Sequence, residues 1–459
     1  MKKGYNQRLL ATIFLTIFGL TVLSQNAEEK RESYNGNQAK YVFLFIGDGM
    51  GFSQVAATEA YQAAINNGSD FKLLNFSEFP SQGLMTTHAK NRFITGSAAS
   101  GTALATGHKT SINTISMNHD RSRQYKTIAE RAQEQGMKVG IVTTVSIDHA
   151  TPAAFYAHEK ARHYYYSIGK QLSQSGFDYF GPGGFKFPNA REGNDKDLVE
   201  LTKSNGYKYT DSKKEFRKLN KNAGKVMAVN PRLDQGAMPY AMDMDRKDIS
   251  LADFTEKGIE LLDNEKGFFM MVEGGKIDWS AHGNDAAGVI HGVIAFSEAV
   301  GKAIDFYEKH PDETLIVVTA DHETGGMAVG SQETKYSSYY ERLKQQKVSL
   351  DAFGDKLDEL VKYNEEGDVT FSRVMDITRK YIGLGKERQG LGLNKKDMRL
   401  LKHAFDIQFG EKESKEEMDE MALAYIGEQS FAQTAIEILT RKSGLSFTSN
   451  SHTGSPVPV

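Results

Sequence analysis

The chain has 459 residues, which is enough for one large α/β domain or two smaller domains with a sizeable core. Its 56 Lys and Arg residues nearly balance 59 Asp and Glu residues, and the net charge of −3 argues against nucleic acid as a partner. Any functional basic site must therefore be a local group of residues. Cysteine is absent, which excludes disulfides, thiolate metal sites and cysteine nucleophiles. Any metal site must therefore use oxygen and nitrogen ligands.

The N-terminus has the pattern of an export signal. Lys2, Lys3 and Arg8 precede an uncharged apolar run at residues 9–23, and the small residue Ser24 follows. This run is shorter than the roughly 20 residues that a membrane-spanning helix needs. The pattern predicts a signal peptide over residues 1–24 and a periplasmic or secreted protein, with an uncleaved membrane anchor as the alternative. The polar residues 25–38 predict a flexible mature N-terminus, so the folded domain should begin at residue 39.

Short runs rich in β-branched or aromatic residues predict four buried strands, at residues 41–46, 139–145, 268–272 and 315–319. Stretches of helical periodicity, such as 125–135 and 288–308, separate them. This alternation predicts an α/β fold with a large, mostly parallel central sheet and helices on both faces. Potential metal ligands follow every strand, and such sheets bind ligands at the carboxyl ends of their strands. The sequence therefore predicts one site at that edge.

Two segments fit the alternation poorly. Residues 176–222 are rich in Gly, Asn, Lys and aromatic residues, which predicts long loops over the sheet. Residues 332–428 are charged and helical in pattern. We expect a helical insertion there, packed at one edge of the domain at 39–459 or forming a cap.

The segment at residues 273–282 (EGGKIDWSAH) is a candidate metal site. Asp278 and His282 are four residues apart, so on a helix they point the same way, as two ligands of one ion must. Glu273 follows a strand and can reach a neighbouring ion. The alternative is a strand–turn–helix junction whose aspartate caps the helix and whose histidine is simply exposed.

Two further strand ends carry carboxylates. Asp321 and His322 follow the fourth predicted strand and present adjacent oxygen and nitrogen donors, which suit zinc. Asp48 lies between two glycines after the first strand, where the missing side chains let a ligand approach closely and one carboxylate can bridge two ions. Both segments also read as ordinary polar turns.

Ser97 opens a helical stretch of small residues. At a helix N-terminus, unpaired N–H groups and the positive end of the helix dipole favour an alkoxide and a bound phosphate. Arg162 is a natural bidentate clamp for phosphate oxygens, and the segment that precedes it contains His149 and Thr151. The alternative makes Ser97 a helix N-cap and Arg162 a surface residue.

Taken together, these segments resemble the alkaline phosphatase family. They occur in the family's order and extend over residues 41–454. The matching segments are 45–51 (FIGDGMG), 96–103 (GSAASGTA), 149–154 (HATPAA) with Arg162 beyond it, 273–282, 319–326 (TADHETGG) and 451–454 (SHTG).

The resemblance implies two zinc ions and a third ion, usually magnesium. For one zinc it implies the ligands Asp278, His282 and His452, and for the second Asp321, His322 and, in the resting enzyme, Ser97. For the third ion it implies Asp48, bridging from the second zinc, with Thr151 and Glu273. His149 borders this third site and is included among the candidate ligands. Arg162 would hold the phosphate.

Three departures from the family pattern matter. Gly96 precedes the serine where well-known members have an aspartate that steadies the arginine, so Arg162 should be more mobile. His149 and Trp279 occupy variable positions beside the third site, where a histidine can draw in a softer ion. The sequence stops soon after His452, where members continue through another strand and helix, so we expect either a truncated chain or a histidine on a frayed end.

The resemblance implies a phosphate monoester hydrolase that acts through a phosphoserine on Ser97 and releases inorganic phosphate and an alcohol. We expect small phosphate monoesters and inorganic phosphate as partners, no nucleic acid, no stable membrane anchor, and a homodimer as a candidate assembly. Two rival interpretations are a phosphodiesterase on the same scaffold and a non-catalytic phosphate- or metal-binding protein of the cell envelope.

Overall fold

The computed structural model describes residues 39–66, 73–189, 196–363, 369–410 and 430–459. The predicted signal peptide and N-terminal tail, at residues 1–38, lie outside the described residues. The strands are β1 (Tyr41–Ile46), β2 (Leu84–Met85), β3 (Lys138–Thr143), β4 (Tyr179–Pro182), β5 (Lys208–Thr210), β6 (Val226–Ala228), β7 (Phe268–Glu273), β8 (Thr314–Thr319), β9 (Glu323–Thr324), β10 (His452–Thr453) and β11 (Val457–Pro458).

A seven-stranded sheet forms the centre, in the order β5–β6–β4–β3–β7–β1–β8, and every neighbouring pair in it is parallel. The predicted parallel sheet is therefore confirmed. The four strands predicted from the sequence form the contiguous block β3–β7–β1–β8. Their bounds differ from the prediction by at most two residues: β3, for example, ends at Thr143.

Within residues 176–222, of which the structure describes all but 190–195, the prediction of long loops is wrong for the parts that form strands and helices. The segment contributes β4 and β5 to the sheet, together with two helices. Gly181 shows why a glycine-containing stretch is nevertheless a strand: a Cβ atom there would lie 2.2 Å from the Ala228 carbonyl oxygen. Because the backbones pass so closely, this strand position requires glycine.

Helices connect the strands. They are α1 (Phe52–Ile65), α2 (Ser97–Thr106), α3 (Ile128–Glu134), α4 (Ala150–Ala153), α5 (Tyr165–Ser175), α6 (Leu198–Ser204), α7 (Lys213–Lys218), α8 (Leu251–Leu262), α9 (Lys276–His282), α10 (Ala286–Tyr307), α11 (Leu350–Lys362), α12 (Phe371–Tyr381), α13 (Lys395–Phe409) and α14 (Phe431–Ser443). Short 3₁₀ helices cover Asn75–Glu78, Ala241–Asp243, Tyr340–Gln345 and Glu387–Gln389.

The sheet is covered on both faces, as predicted. Side chains alternate along β1, so that Phe43 and Phe45 enter one buried apolar cluster while Leu44 and Ile46 enter another. The first cluster includes the apolar face of α10, and the second includes two alanines each of α2 and α4, namely Ala98, Ala105, Ala150 and Ala153. Among the described helices, α10 alone is long and apolar enough to cross a membrane, but it packs into this core with more than half of its apolar window buried.

Within the predicted insertion, the regular elements described for residues 340–409 are helical. Leu343, Phe353 and Leu401 belong to the same buried cluster as Phe43 of the central sheet. These helices therefore share a core with the sheet.

The last residues are paired with the body of the protein. His452 lies opposite Thr324 in the antiparallel pair β10–β9, and Val457 lies opposite Met85 in the pair β11–β2. Val457 is fully buried. His452 is thus held in place by backbone pairing, and the expectation of a frayed end is wrong.

Candidate metal centre

The carboxyl ends of the neighbouring strands β3, β7, β1 and β8 bring the predicted site residues together. Asp48 follows β1, Glu273 ends β7 and Asp321 follows β8, and these three strands are neighbours in the sheet. His149 and Thr151 follow β3, the next strand. Metal-ligand atoms at this edge form three compact groups, in each of which they lie within 4.8 Å of one another. The edge predicted from the sequence is therefore where the ligands meet.

The first group contains Asp278, His282 and His452. Helix α9 places Asp278 and His282 on one side, as their spacing predicts, and the N-cap of this helix is Gly275, so Asp278 does not cap it. The Nδ1 atoms of both histidines contact carbonyl oxygens, of Asn450 at 2.7 Å and of Thr95 at 2.9 Å. Each Nδ1 must therefore carry the proton, which leaves each Nε2 with a free lone pair.

The two Nε2 atoms lie 3.1 Å apart, and they are 3.4 and 3.6 Å from Asp278 Oδ1. Two lone pairs and a carboxylate converging in this way repel one another unless a cation lies among them. The donor set of two imidazoles and one carboxylate suits zinc with an open fourth position. The group therefore fits the first zinc site that the resemblance implies.

The second group contains Asp48, Asp321 and His322, all fully buried. His322 Nε2 lies 3.3 Å from Asp48 Oδ1 and 3.3 Å from Asp321 Oδ2. Burial and the neighbouring carboxylates of Asp321 and Asp278 raise the pKa of Asp48 well above its usual range, and burial with the Asp278 charge raises the pKa of Asp321 to about 6. Carboxylates this close and this buried require a compensating positive charge when ionised.

The third group contains Asp48, His149 and Glu273. One atom of each residue is buried without a hydrogen-bond partner: Asp48 Oδ1, His149 Nδ1 and Glu273 Oε1. The Thr151 hydroxyl is 3.4 Å from the other Asp48 oxygen, and Thr143 donates to the other Glu273 oxygen at 2.5 Å. Unpaired buried oxygens beside a hydroxyl are suitable ligands for a hard cation such as magnesium.

Ser97 is the first residue of α2 and lies beside the second group. Its Oγ is 3.3 Å from His322 Nε2, and the N-cap of α2 is Gly96, without a side-chain cap. The alternative in which Ser97 caps the helix therefore does not apply. One turn later, Ser100 donates to Asp321 Oδ2 at 3.1 Å. The helix thus points one hydroxyl into the site and uses another to orient a ligand.

Arg162 reaches the edge of the site from the loop before α5. Its Nη2 lies 2.8 Å from His149 Nε2, so the guanidinium has a neighbour even though Gly96 supplies no carboxylate. Because Nε2 accepts this hydrogen bond, only Nδ1 of His149 remains for an ion. The Trp279 ring packs edge-on against His149, with ring centres 5.9 Å apart, and the Lys276 ammonium lies 4.0 Å from the Trp279 ring centre.

Sequence reasoning missed the roles of Ser100 and Thr324. The Thr324 hydroxyl donates to Asp278 Oδ1 at 2.6 Å and lies 3.2 Å from His322 Nδ1, so it links two groups of ligands. Both residues lie inside motifs that the sequence singled out. Their roles depend on contacts between elements that are far apart in the sequence: Ser100 of α2 acts on Asp321 after β8, and Thr324 of β9 acts on Asp278 of α9. The sequence carries no signal for such contacts beyond the motif itself.

Comparison with known proteins agrees with this geometry. Residues 39–459 match the family model described as alkaline phosphatase. The chain is 32% identical to alkaline phosphatase 3 of Bacillus subtilis over 469 aligned residues, which cover 98% of this chain and 89% of that protein.

Solved structures show the same fold. A cold-active alkaline phosphatase from a psychrophilic Shewanella species superposes with a TM-score of 0.73 at 26% identity, covering 91% of this chain and 92% of that one. A mutant alkaline phosphatase from the bacterium TAB5, solved with magnesium bound, gives a TM-score of 0.60 at 23% identity and covers 92% of this chain and 90% of that one.

Proposed function

Because the chain belongs to the alkaline phosphatase family, we propose that it hydrolyses phosphate monoesters through a phosphoserine on Ser97, with two zinc ions and one magnesium ion. The observation that carries the proposal is the convergence of three ligand groups at one strand edge, with the Ser97 hydroxyl 3.3 Å from a member of the second group. The family match and the metal-ligand groups support a metal-dependent phosphoric monoester hydrolase.

The first group would hold one zinc ion and the second group, with Ser97, the other. Asp48, Glu273 and Thr151 would hold magnesium, with His149 beside them. Bound divalent cations lower the pKa of the hydroxyls they contact and neutralise charge that develops on phosphoryl oxygens. The donor types favour these ions, since imidazole suits zinc and an oxygen-rich set suits magnesium.

Three groups of the chain act on the phosphoryl group. The Ser97 oxygen attacks the phosphorus, so that the bond to the serine forms as the ester bond breaks and the alcohol leaves with a proton. The first N–H groups of α2, at the positive end of its dipole, stabilise the alkoxide and the phosphoryl oxygens. Arg162 binds two non-bridging oxygens as a bidentate clamp.

Water then attacks the same phosphorus, the serine–phosphorus bond breaks, and inorganic phosphate leaves while Ser97 regains its proton. The transition state for phosphoryl transfer is loose, so positioning and charge stabilisation supply most of the rate. None of these contacts involves the alcohol, and we therefore expect broad specificity for the leaving group.

The direct test is the transfer of label from a ³²P-phosphate ester to the protein. Ser97→Ala should take up no label, whereas Ser100→Ala, which keeps the nucleophile, should still be labelled. Label on any other residue would show that another nucleophile carries the reaction.

Monoester specificity has its own test. When Arg162 clamps two unesterified oxygens, a monoester keeps a third for the metal centre and the N-terminus of α2, whereas a diester has none left. We expect much faster hydrolysis of 4-nitrophenyl phosphate than of bis(4-nitrophenyl) phosphate. The opposite order would identify a phosphodiesterase on this scaffold.

We further propose that the protein is exported, with a signal peptide at residues 1–24. The support is the basic residues followed by the apolar run at residues 9–23. N-terminal sequencing of the protein from the native cell should find a start near residue 25. A start at Met1 would contradict this proposal.

A further inference from the structure

A cavity of about 420 Å³ opens beyond the end of helix α2 that lies opposite Ser97. Ten residues of α-helix rise about 15 Å, so the cavity is well separated from the nucleophile. Two of its lining residues directly follow Gly107, which caps the helix in the left-handed conformation. The lining consists of His88, Lys90, His108, Lys109, His119 and Tyr125. None of these side chains belongs to the metal centre.

The cavity lies in a locally basic part of an acidic protein. Residues 86–126 contain six Lys and Arg residues but only one acidic residue, Asp120, although the whole chain has a net charge of −3. Lys126 pairs with Glu134, whereas the other five make no ion pair with the residues that the structure describes. Asp120 Oδ1 accepts hydrogen bonds from the Ser122 amide at 2.9 Å and the Ser122 hydroxyl at 2.5 Å. The Asp120 carboxylate thus forms hydrogen bonds with Ser122 and no ion pair with a described lysine or arginine of this segment.

Backbone contacts hold the walls of the cavity in place. Lys109 Nζ donates to the His88 carbonyl oxygen at 2.6 Å, and the Lys90 amide donates to the Thr110 carbonyl oxygen at 2.8 Å. The His108 ring stacks on Tyr125 with ring centres 4.5 Å apart. An ammonium group has three N–H donors, so Lys109 keeps two after its contact with His88. The cavity is therefore lined by hydrogen-bond donors, and its lining contains no carboxylate that would repel an anion.

We propose that this cavity binds a phosphate oxyanion, at a second site distinct from the one at Ser97. Lysine ammonium and imidazole N–H groups donate to oxyanions, and a charge-assisted hydrogen bond is stronger than a neutral one. The three histidines are absent from the groups of described residues whose ligand atoms lie close enough to share a metal ion. An apolar ligand would give the two lysine ammonium groups no anionic partner.

The choice of phosphate among oxyanions rests on the proposed function, because a phosphatase releases this anion. Two sources share the same chemistry: free inorganic phosphate, and a phosphate group of a separate molecule that carries more than one and binds here independently of Ser97. The first predicts that orthophosphate binds as tightly as a bisphosphate. The second predicts that the bisphosphate binds more tightly.

The test is calorimetric titration of the metal-loaded Ser97→Ala protein with orthophosphate and, separately, with fructose 1,6-bisphosphate. We expect two binding events with at least one of the probes. Adding Lys90→Glu should weaken one event by at least about tenfold and leave the other unchanged, the size expected for losing one hydrogen bond to a charged group. Lys221→Glu, which reverses the charge of an exposed lysine outside the cavity, should change neither event.

Lys90→Glu leaves the Lys109–His88 contact intact, and His119→Gln provides a second variant that should weaken the same event without reversing a charge. The proposal is wrong if both variants fold and bind both probes as the parent does. It is also wrong if a single-stranded oligonucleotide binds more tightly than either probe and loses that binding in Lys90→Glu. In the protein that retains Ser97, Lys90→Glu should hydrolyse 4-nitrophenyl phosphate at the parent rate. If the parent protein shows no turnover, the proposed function is refuted, but the second phosphate site is not.

Discussion

At the scale of single residues, Arg162 has an unexpected neighbour. The sequence shows no acidic residue at position 96, and we therefore expected a mobile guanidinium. In the structure, Arg162 Nη2 donates to His149 Nε2 at 2.8 Å, and the Arg162 amide donates to the Asn113 carbonyl oxygen at 2.9 Å. Burial and the arginine charge lower the pKa of His149 well below its usual range, so the neutral ring can accept this bond.

Arg162→Ala should reduce kcat/KM for 4-nitrophenyl phosphate by about 10²–10³, because it removes a donor to the non-bridging oxygens. Activity should not vanish, since the helix N-terminus and the metal ligands remain. Steady-state kinetics measure the effect, and Arg217→Ala, at an exposed arginine of α7, is the matched control. An unchanged kcat/KM in Arg162→Ala would exclude Arg162 from phosphate binding.

The sequence predicts a site residue when its partner lies on the same element, and it fails when the partner lies far away along the chain. The spacing of Asp278 and His282 predicts a shared face because both lie on one helix. The contact between Arg162 and His149 joins two loops, so no local pattern contains it. Thr324 was equally hidden, because its hydroxyl lies on β9 and acts on Asp278 of helix α9.

At the scale of elements, two helices with small residues carry the proposed nucleophile Ser97 and the proposed magnesium ligand Thr151. Gly101 of α2 faces α4, and a Cβ atom at this position would lie 3.3 Å from Thr151 Cα and 3.3 Å from Ala154 Cβ. These distances are tighter than ordinary contacts. The separation of the two helices therefore depends on this glycine.

Gly101→Val should lower the free energy of unfolding by about 1–3 kcal/mol, the usual cost of overpacking, and should weaken magnesium binding because Thr151 is pushed away. Chemical denaturation and magnesium titration of activity measure the two effects. Ala103→Val, at a partly exposed position of the same helix, should cost less and leave magnesium binding unchanged. If the two variants lose the same free energy of unfolding and bind magnesium equally well, the close contact between Gly101 and α4 is contradicted.

His158 ties the loop before Arg162 to helix α3. Its Nε2 lies 3.0 Å from Glu130 Oε1, and its Nδ1 lies 3.0 Å from the Ser116 carbonyl oxygen. Burial lowers the pKa of His158, but the hydrogen bonds to Glu130 and Ser116 outweigh burial and raise the pKa overall. Both ring nitrogens therefore act as donors in the charged ring.

Because the pKa of His158 is higher in the folded state, its contribution to stability is complete below the ordinary histidine pKa of about 6.5 and is lost as pH rises through the folded value. The melting temperature should therefore fall as pH rises from about 6 to about 8, and His158→Gln should show a smaller fall. Differential scanning fluorimetry at fixed ionic strength measures both curves. Parallel curves would mean that His158 is not protonated in the fold.

The strands differ in how well the sequence predicts them. The strands β1, β3, β7 and β8 have six residues each and contain continuous runs without charge, and the sequence shows them clearly. The first three are mostly buried, as strands covered on both faces are, whereas β8 at the end of the sheet is partly exposed. The strands β5 and β6 have only three residues each, which is too short for periodicity to appear. The sequence analysis did not predict them for that reason. It also did not predict β4, because the glycine and proline of this strand are typical of a loop.

At the scale of the whole molecule, the parallel sheet is what assembles the centre. Ligands that lie hundreds of residues apart meet because β7, β1 and β8 are neighbours and their carboxyl ends share one edge. His452 joins them from the last part of the chain through the pairing of β10 with β9. The sequence predicts the shared edge, but it cannot predict this last pairing, which involves two residues from each strand.

The most direct test of the account is to measure metal content and 4-nitrophenyl phosphate turnover on the same preparation, before and after chelation. We expect two zinc ions per chain in the active protein, loss of turnover when they are removed, and recovery when zinc is added back, with magnesium increasing the recovered rate. A zinc-free preparation that keeps full activity would contradict the claim that the three ligand groups hold the ions on which Ser97 depends.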